Sequence, residues 1–271
     1  MKQLENLDEE TIKTILNIHM EMGVDILINE NIQDQKDLKV VTEVKNNNKN
    51  EKTFLKTLAT NSERKAFEIA LQAKDIISLK KLFEEFDGCQ LKKTASNFVT
   101  FEGNETSEIL IIDGTPETEE DKIGKPFLGD KGELFNKMLK AIDLNREQIF
   151  IINSIPWRPP GNRFPTTDEI NMCRPFVYQL ISLLKPKIIL CMGEVATNQI
   201  LNLNESIINV RGKWHTFELP IFYQDKEKDN NKTLVLPTFN ISYLLKRPET
   251  KRQAWDDMKM LRDKIKEIIK K

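Results

Sequence analysis

Three stretches of the chain concentrate side chains able to do chemistry. The first, DGTPETEEDKIGKPFLGDKG (residues 113–132), sets Asp113 beside Gly114 and places Phe127 between Pro126 and Gly129. Glycines and prolines at this density make a stiff loop with exposed backbone N–H groups, suited to a flat ring or a phosphate. Phe127 can offer an aromatic face for stacking, or it can plug the core. The second stretch, NSIPWRPPGNR (residues 153–163), opens on Asn153 where a strand should close. A rigidly held amide there presents a donor and an acceptor to a planar, amide-like ring; the plainer role is to cap a turn. Arg158 and Arg163 are available for phosphate, or for pairing with acids. The third, PTFNISYLLKRP (residues 237–248), runs from apolar residues straight into Lys246 and Arg247. Such a loop can wedge into a base stack while its cations hold the backbone, and it can equally staple a helix onto the core.

These stretches need elements to position them. Short apolar runs predict strands over residues 109–112, 149–153, 187–192 and 233–236, and helical spacing predicts helices over 131–142, 167–184, 194–201 and 251–269. Thr166, three residues before Glu169, forms a capping box at the start of the second of these helices. Continuous strands alternating with helices imply a parallel sheet covered on both faces. Ligands in such sheets bind beyond the carboxyl ends of the strands. All three stretches begin there, as does a shorter loop at 193–197. Upstream, residues 11–28 and 63–86 read as amphipathic helices, and KNNNKNEK (45–52) reads as a flexible linker. The expected organisation is a helical extension over 1–60 and an α/β domain over 61–271.

The totals exclude some classes. Lys plus Arg (41) balances Asp plus Glu (42), so any nucleic-acid affinity must come from a local patch. No apolar run approaches the roughly 20 residues of a membrane span, and the acidic start is unlike a secretory leader. Three cysteines, an odd number, point to a reducing compartment, and the expected location is the cytoplasm.

Taken jointly, the three stretches resemble a known family. With GCQLKKTA (88–95), RGKWH (211–215) and PTFNISYLLKRPETKRQAW (237–255), they look like a family-4 uracil-DNA glycosylase from about Phe86 to Trp255. The resemblance implies an α/β/α sandwich with a four-stranded parallel sheet. It also implies extrusion of uracil from single- or double-stranded DNA and hydrolysis of its N-glycosidic bond. It makes Phe127 the residue that stacks on uracil and Asn153 the one that reads it, with Gly114 and Thr115 beside them. Asn162, Arg163, Ser242, Tyr243, Leu244, Lys246 and Arg247 would lie at the DNA, with Tyr243 and Leu244 at the tip of the wedge.

The departures fall on the chemistry. Where the family has GEAPG, this chain has Asp113 to Glu117, so the motif glutamate is Gly114 and Asp113 could substitute only after a shift of the loop. Glu117 puts a negative charge where the backbone should approach DNA. The family's HPA is Asn240-Ile241-Ser242, and Asn240 can donate a hydrogen bond to the departing uracil anion but cannot carry positive charge. His215 is a weak substitute candidate. The family's iron–sulfur cluster needs four cysteines; Cys89 and Cys173 match two, while Phe86 and Trp157 occupy the other two positions. Two thiolates cannot hold such a cluster alone, so none is expected. Two readings follow: a weakened uracil-DNA glycosylase, or a catalytically dead descendant that binds DNA or a protein partner. A monomer is expected, with the N-terminal helices as a possible protein-binding surface.

Overall fold

The computed structural model describes residues 61–203, 205–224 and 232–269. The helix expected over 11–28, the linker over 45–52 and the rest of the 1–60 extension lie outside the described residues. Six strands make one sheet: β1 (Glu102–Gly103), β2 (Ile109–Asp113), β3 (Phe150–Asn153), β4 (Ile188–Met192), β5 (His215–Glu218) and β6 (Lys232–Thr238), in the order β1-β3-β2-β4-β6-β5. The inner four are the expected parallel strands. The sheet is wider than the four strands read from sequence, because β1 and β5 add antiparallel edges. Neither edge announces itself: β1 is two residues long, and of the four residues of β5 only Phe217 is buried.

Nine α-helices accompany the sheet: α1 (Asn61–Ala70), α2 (Ile76–Glu85), α3 (Thr118–Ile123), α4 (Gly129–Lys140), α5 (Thr167–Leu184), α6 (Glu194–Leu201), α7 (Ile207–Val210), α8 (Ile241–Lys246) and α9 (Lys251–Ile268) among the described residues. The helix expected over 63–86 is two. Asp75 caps α2, its carboxylate accepting from the Ser78 N–H at 2.7 Å while the Ser78 hydroxyl accepts from the Asp75 N–H at 3.2 Å. This cap ends the continuity that the apolar stripe suggested. At α5 the capping box forms as expected, the Glu169 N–H donating to Thr166 Oγ1 at 3.2 Å and the Thr166 N–H to Glu169 Oε2 at 2.8 Å.

Strand side chains alternate between two apolar layers. Leu110, Ile112, Ile152, Ile189, Cys191 and Val235 face the layer that holds residues of α1, α2, α5 and α6. Ile109, Ile111, Ile151, Ile188, Leu190, Met192 and Leu236 face the one that holds residues of α4, α8 and α9. Each layer is a contiguous apolar cluster, so burial drives both faces of the sandwich. The parallel register also aligns the strand ends. Asn153 pairs with Asp113, Asp113 with Met192, and Met192 with Thr238, giving one row across the carboxyl edge. By strand alternation all four side chains of this row leave on the α4, α8 and α9 face. No helix among the described residues is long and apolar enough to cross a membrane.

Candidate functional site

A cleft of about 360 Å³ opens at this row of strand ends. Its lining comes from the β2–α3 loop (Asp113, Gly114, Thr115, Pro116 and Glu117), Lys131 of α4, the turn Asn162–Pro165, the β4–α6 corner, α7, and the segment Phe239–Lys246. The three stretches that carry chemistry thus converge, although more than a hundred residues separate the first from the last.

Asp113 reaches the cleft as the last residue of β2, with no shift of the loop. Its carboxylate meets the Lys131 ammonium at 2.6 Å, and Glu120 meets the same ammonium at 2.8 Å. Glu120 in turn accepts from the backbone N–H groups of Glu117 (2.7 Å) and Phe127 (2.6 Å). One buried carboxylate therefore ties the loop's beginning to its end. Burial alone would depress the Lys131 ammonium; the two carboxylates more than offset this and raise it above the ordinary lysine value. Burial likewise pushes Glu120 above the usual carboxylate range, against the pull of Lys131.

Phe127 is strained to fit. Its φ of 51° is unusual for a bulky residue, and its ring stacks on Phe135 at 3.9 Å. Gly132 makes this possible, since a Cβ there would fall 2.1 Å from the Phe127 carbonyl oxygen. Phe127 is 1% exposed and Asn153 2%, and neither lines the cleft. The Asn153 amide is not a turn cap: its Oδ1 and Nδ2 are buried without a partner among the described residues.

On the opposite wall, Asn240 is the N-cap of α8, and its Oδ1 accepts from the Tyr243 N–H at 2.8 Å. That leaves the amide NH2 as the group it can donate. Gly193, at φ 88°, lets the β4–α6 corner approach it; a Cβ on Gly193 would sit 2.9 Å from that of Asn240. Ser242, Tyr243 and Lys246 line the cleft, as do Gly114, Thr115 and Asn162.

Several expected site residues stand elsewhere. Leu244 is 1% exposed and packs in the core beneath α8, so it cannot be the tip of a wedge. The helical turn puts Leu245 outward instead. Tyr243 stacks on Phe239 at 4.9 Å, and the Arg247 guanidinium lies 5.3 Å from the Tyr243 ring. His215 sits on the edge strand β5 opposite Val235 and does not line the cleft. Arg163 is held by both Glu169 oxygens, at 2.9 and 2.7 Å, so pairing with an acid wins over a free guanidinium.

Three residues at the cleft escape a reading of motifs. Lys131 shares the buried stripe of α4 with Phe135 and Leu139 at four-residue spacing, and a lysine on such a stripe is the signal that could have found it. Phe164 and Ile208 line the cleft yet remain 73% and 64% exposed, which only the tertiary structure reveals.

The residues present do not fit a four-cysteine cluster. The neighbouring Cys173 thiol lowers the value of Cys89, while burial raises that of Cys173. Phe86 and Trp157 are buried in the same apolar layer, Phe86 against Phe176 and Trp157 against Phe83. Among the described residues no group of three or more His, Cys, Asp or Glu side chains is placed to hold a metal ion.

Comparison with known proteins agrees with this architecture. Residues 100–259 match the model of the uracil DNA glycosylase superfamily. The type-4 uracil-DNA glycosylase of Sulfurisphaera tokodaii is 36% identical over 69% of this chain and 84% of its own length. That of Thermotoga maritima is 34% identical over 68% and 88%, and that of Archaeoglobus fulgidus 32% over 64% and 84%. With strand ends, loops and matched sequence all coinciding, the chain belongs to the uracil DNA glycosylase superfamily.

Proposed function

We propose that the cleft takes up uracil-containing DNA, single- or double-stranded, and that the protein hydrolyses the N-glycosidic bond of an extruded uracil to leave an abasic site. The observation that carries this reading is Asn153. A buried amide with both polar atoms unpaired costs free energy. It stands beside Asp113 in the strand register, in the same layer as Phe127, where a flat ring with adjacent N–H and carbonyl groups would satisfy it.

In the reaction, water adds at C1′ as the C1′–N bond breaks, and the bonding electrons leave with the base. Asp113 is the carboxylate available to orient that water and to take up the proton it loses as the C1′–OH forms. The Asn240 NH2 is the donor for the developing uracil anion. A neutral donor is roughly half as strong as a charged one, so turnover is slow. Lys131 stays protonated between its two carboxylates and so cannot attack C1′ as an amine, which leaves water as the nucleophile. Lys246, Arg247 and Asn162 serve the phosphates, and Leu245 with Phe164 replaces Leu244 as the apolar contact to bases.

A second reading, DNA binding without excision, is favoured by the use of the Asn240 Oδ1 as a helix cap and by Glu117 in the cleft. A cleavage assay on uracil-containing single- and double-stranded DNA under enzyme excess separates the two. Abasic product is expected; DNA retained without product would sink excision and leave the binding reading.

A further inference from the structure

Phe127 and Asn153 are the side chains suited to hold a base, and both are shut off from the cleft they would serve. The Phe127 ring stacks on Phe135 at 3.9 Å, and the Lys131 ammonium lies 5.2 Å from the same ring's centroid. Asn153 is the register partner of Asp113 and shares its face of the sheet, with its amide unpaired. Asp113 and Lys131 both line the cleft, Asp113 as the strand neighbour of Asn153 and Lys131 over the Phe127 ring.

We propose that the Asp113–Lys131 ion pair is a gate across the base-binding recess, and that a base reaches Phe127 and Asn153 only when Lys131 swings away. The inference rests on the uracil-DNA reading above and deepens it. Three features converge on it. The pair is buried and close, at 2.6 Å, and its ammonium lies over the Phe127 ring. The recess behind holds an unsatisfied amide, which a base would complete. The obstructing group rides on a flexible four-carbon stem, unlike a ring or a backbone segment. A gate closed most of the time lowers apparent affinity for the base by the fraction open, while interactions with the phosphates are untouched. Uracil recognition and DNA binding are thereby separated.

The test is equilibrium binding to single-stranded DNA bearing one uncleavable 2′-fluoro-deoxyuridine, against the same strand bearing thymidine. The ratio of the two Kd values is read for the wild-type protein and for the Lys131→Ala, Asp113→Gly double variant. Removing both leaves Glu120 without its cation, but Glu120 keeps its bonds from the Glu117 and Phe127 N–H groups and can take up a proton. The ratio should rise at least tenfold in the variant, each uracil affinity being read against the same protein's affinity for the thymidine strand. A wild-type ratio already equal to the variant's overturns the gate. If the double variant does not fold, Lys131→Met supplies the comparison, with a smaller rise expected and an unchanged ratio again overturning the gate. Absence of DNA binding by the wild-type protein sinks the DNA reading and the gate together, whereas the gate fails alone when binding persists.

Discussion

Two buried ionic networks lie at the carboxyl edge of the sheet, and they differ in what they face. At the end of β2, Lys131 is shared by Asp113 and Glu120 and lines the cleft. At the end of β6, Asp257 of α9 accepts from the Thr238 hydroxyl at 2.7 Å and pairs with Arg211, whose Nε lies 3.0 Å from the carboxylate. Arg211 also sits 5.1 Å from the Phe239 ring, and a Cβ on Gly212 would fall 2.7 Å from Asp257 Oδ1. This second network fixes the chain beside Asn240, but its polar members Thr238, Arg211 and Asp257 do not line the cleft. The first has one cation for two carboxylates and borders a recess with an unpaired amide. The second matches one cation to one carboxylate and a hydroxyl. Of the two, only the first borders the cleft, where a ligand can meet it.

The largest effect expected from breaking this contrast is at Asp257. Asp257→Ala strands Arg211 and should cost about 3–5 kcal/mol of stability in urea unfolding. A loss under about 1 kcal/mol would place the second network among exposed pairs of little worth. Lys131→Ala should cost less, and its cost should shrink in acid, because Glu120 can take up a proton. The same group predicts a pH dependence of the wild-type protein. Burial raises the folded value of Glu120 above its unfolded one, so its contribution to stability is complete below the ordinary carboxylate value and is lost as pH rises through the raised one. Glu120→Gln should flatten that part of the stability–pH curve; an unaltered curve would assign the slope to another group.

Effects on chemistry should be smaller. Asn240→His supplies a charge-capable donor at the departing base and should raise single-turnover excision by about tenfold, while loss of the cap costs about 1 kcal/mol of stability. A rate left flat would mean that position 240 does not reach the base. Gly114→Glu should add to this only alongside Val195→Ala, since a Cβ at 114 would stand 3.2 Å from that of Val195. The smallest effect is expected at Lys246→Ala with Arg247→Ala. For every phosphate that no longer meets a cation, the slope of log K against log salt should shrink by roughly 0.7 to 0.9, with no change in the uracil-to-thymidine ratio. If that ratio moved with the salt slope, base recognition and backbone binding would not be separate.

Much of the fold was legible in the chain. The helices Thr167–Leu184 and Glu194–Leu201 have the ends that spacing and capping predict, because Thr166 with Glu169, and Gly193 before Glu194, set their starts locally. The inner strands are legible because both faces are buried and the runs are therefore continuously apolar. The break between α1 and α2 is hidden, since Asp75 and Ser78 sit beside the apolar stripe of Ala73, Ile76, Leu79 and Phe83, which runs on past them. The edge strands were hidden because their pairing, more than their composition, makes them strands. At the site, Asn153 and Asn240 stand out by position at strand ends, and Asp113 by the resemblance. What each one does is not legible: Asp113 is bound to Lys131, the Asn153 amide has no partner among the described residues, and Asn240 spends an oxygen on a cap.

Apolar period and turn chemistry are local, so the chain alone specifies the sandwich, its inner strands and helices, and the loops that meet at the carboxyl edge. Which of those residues face the cleft is settled by packing between segments far apart in the chain. Lys131 lies over the Phe127 ring, while Leu244 turns inward and Phe164 outward. No local rule carries that information, since a helix or loop acquires an inside and an outside only from what packs against it.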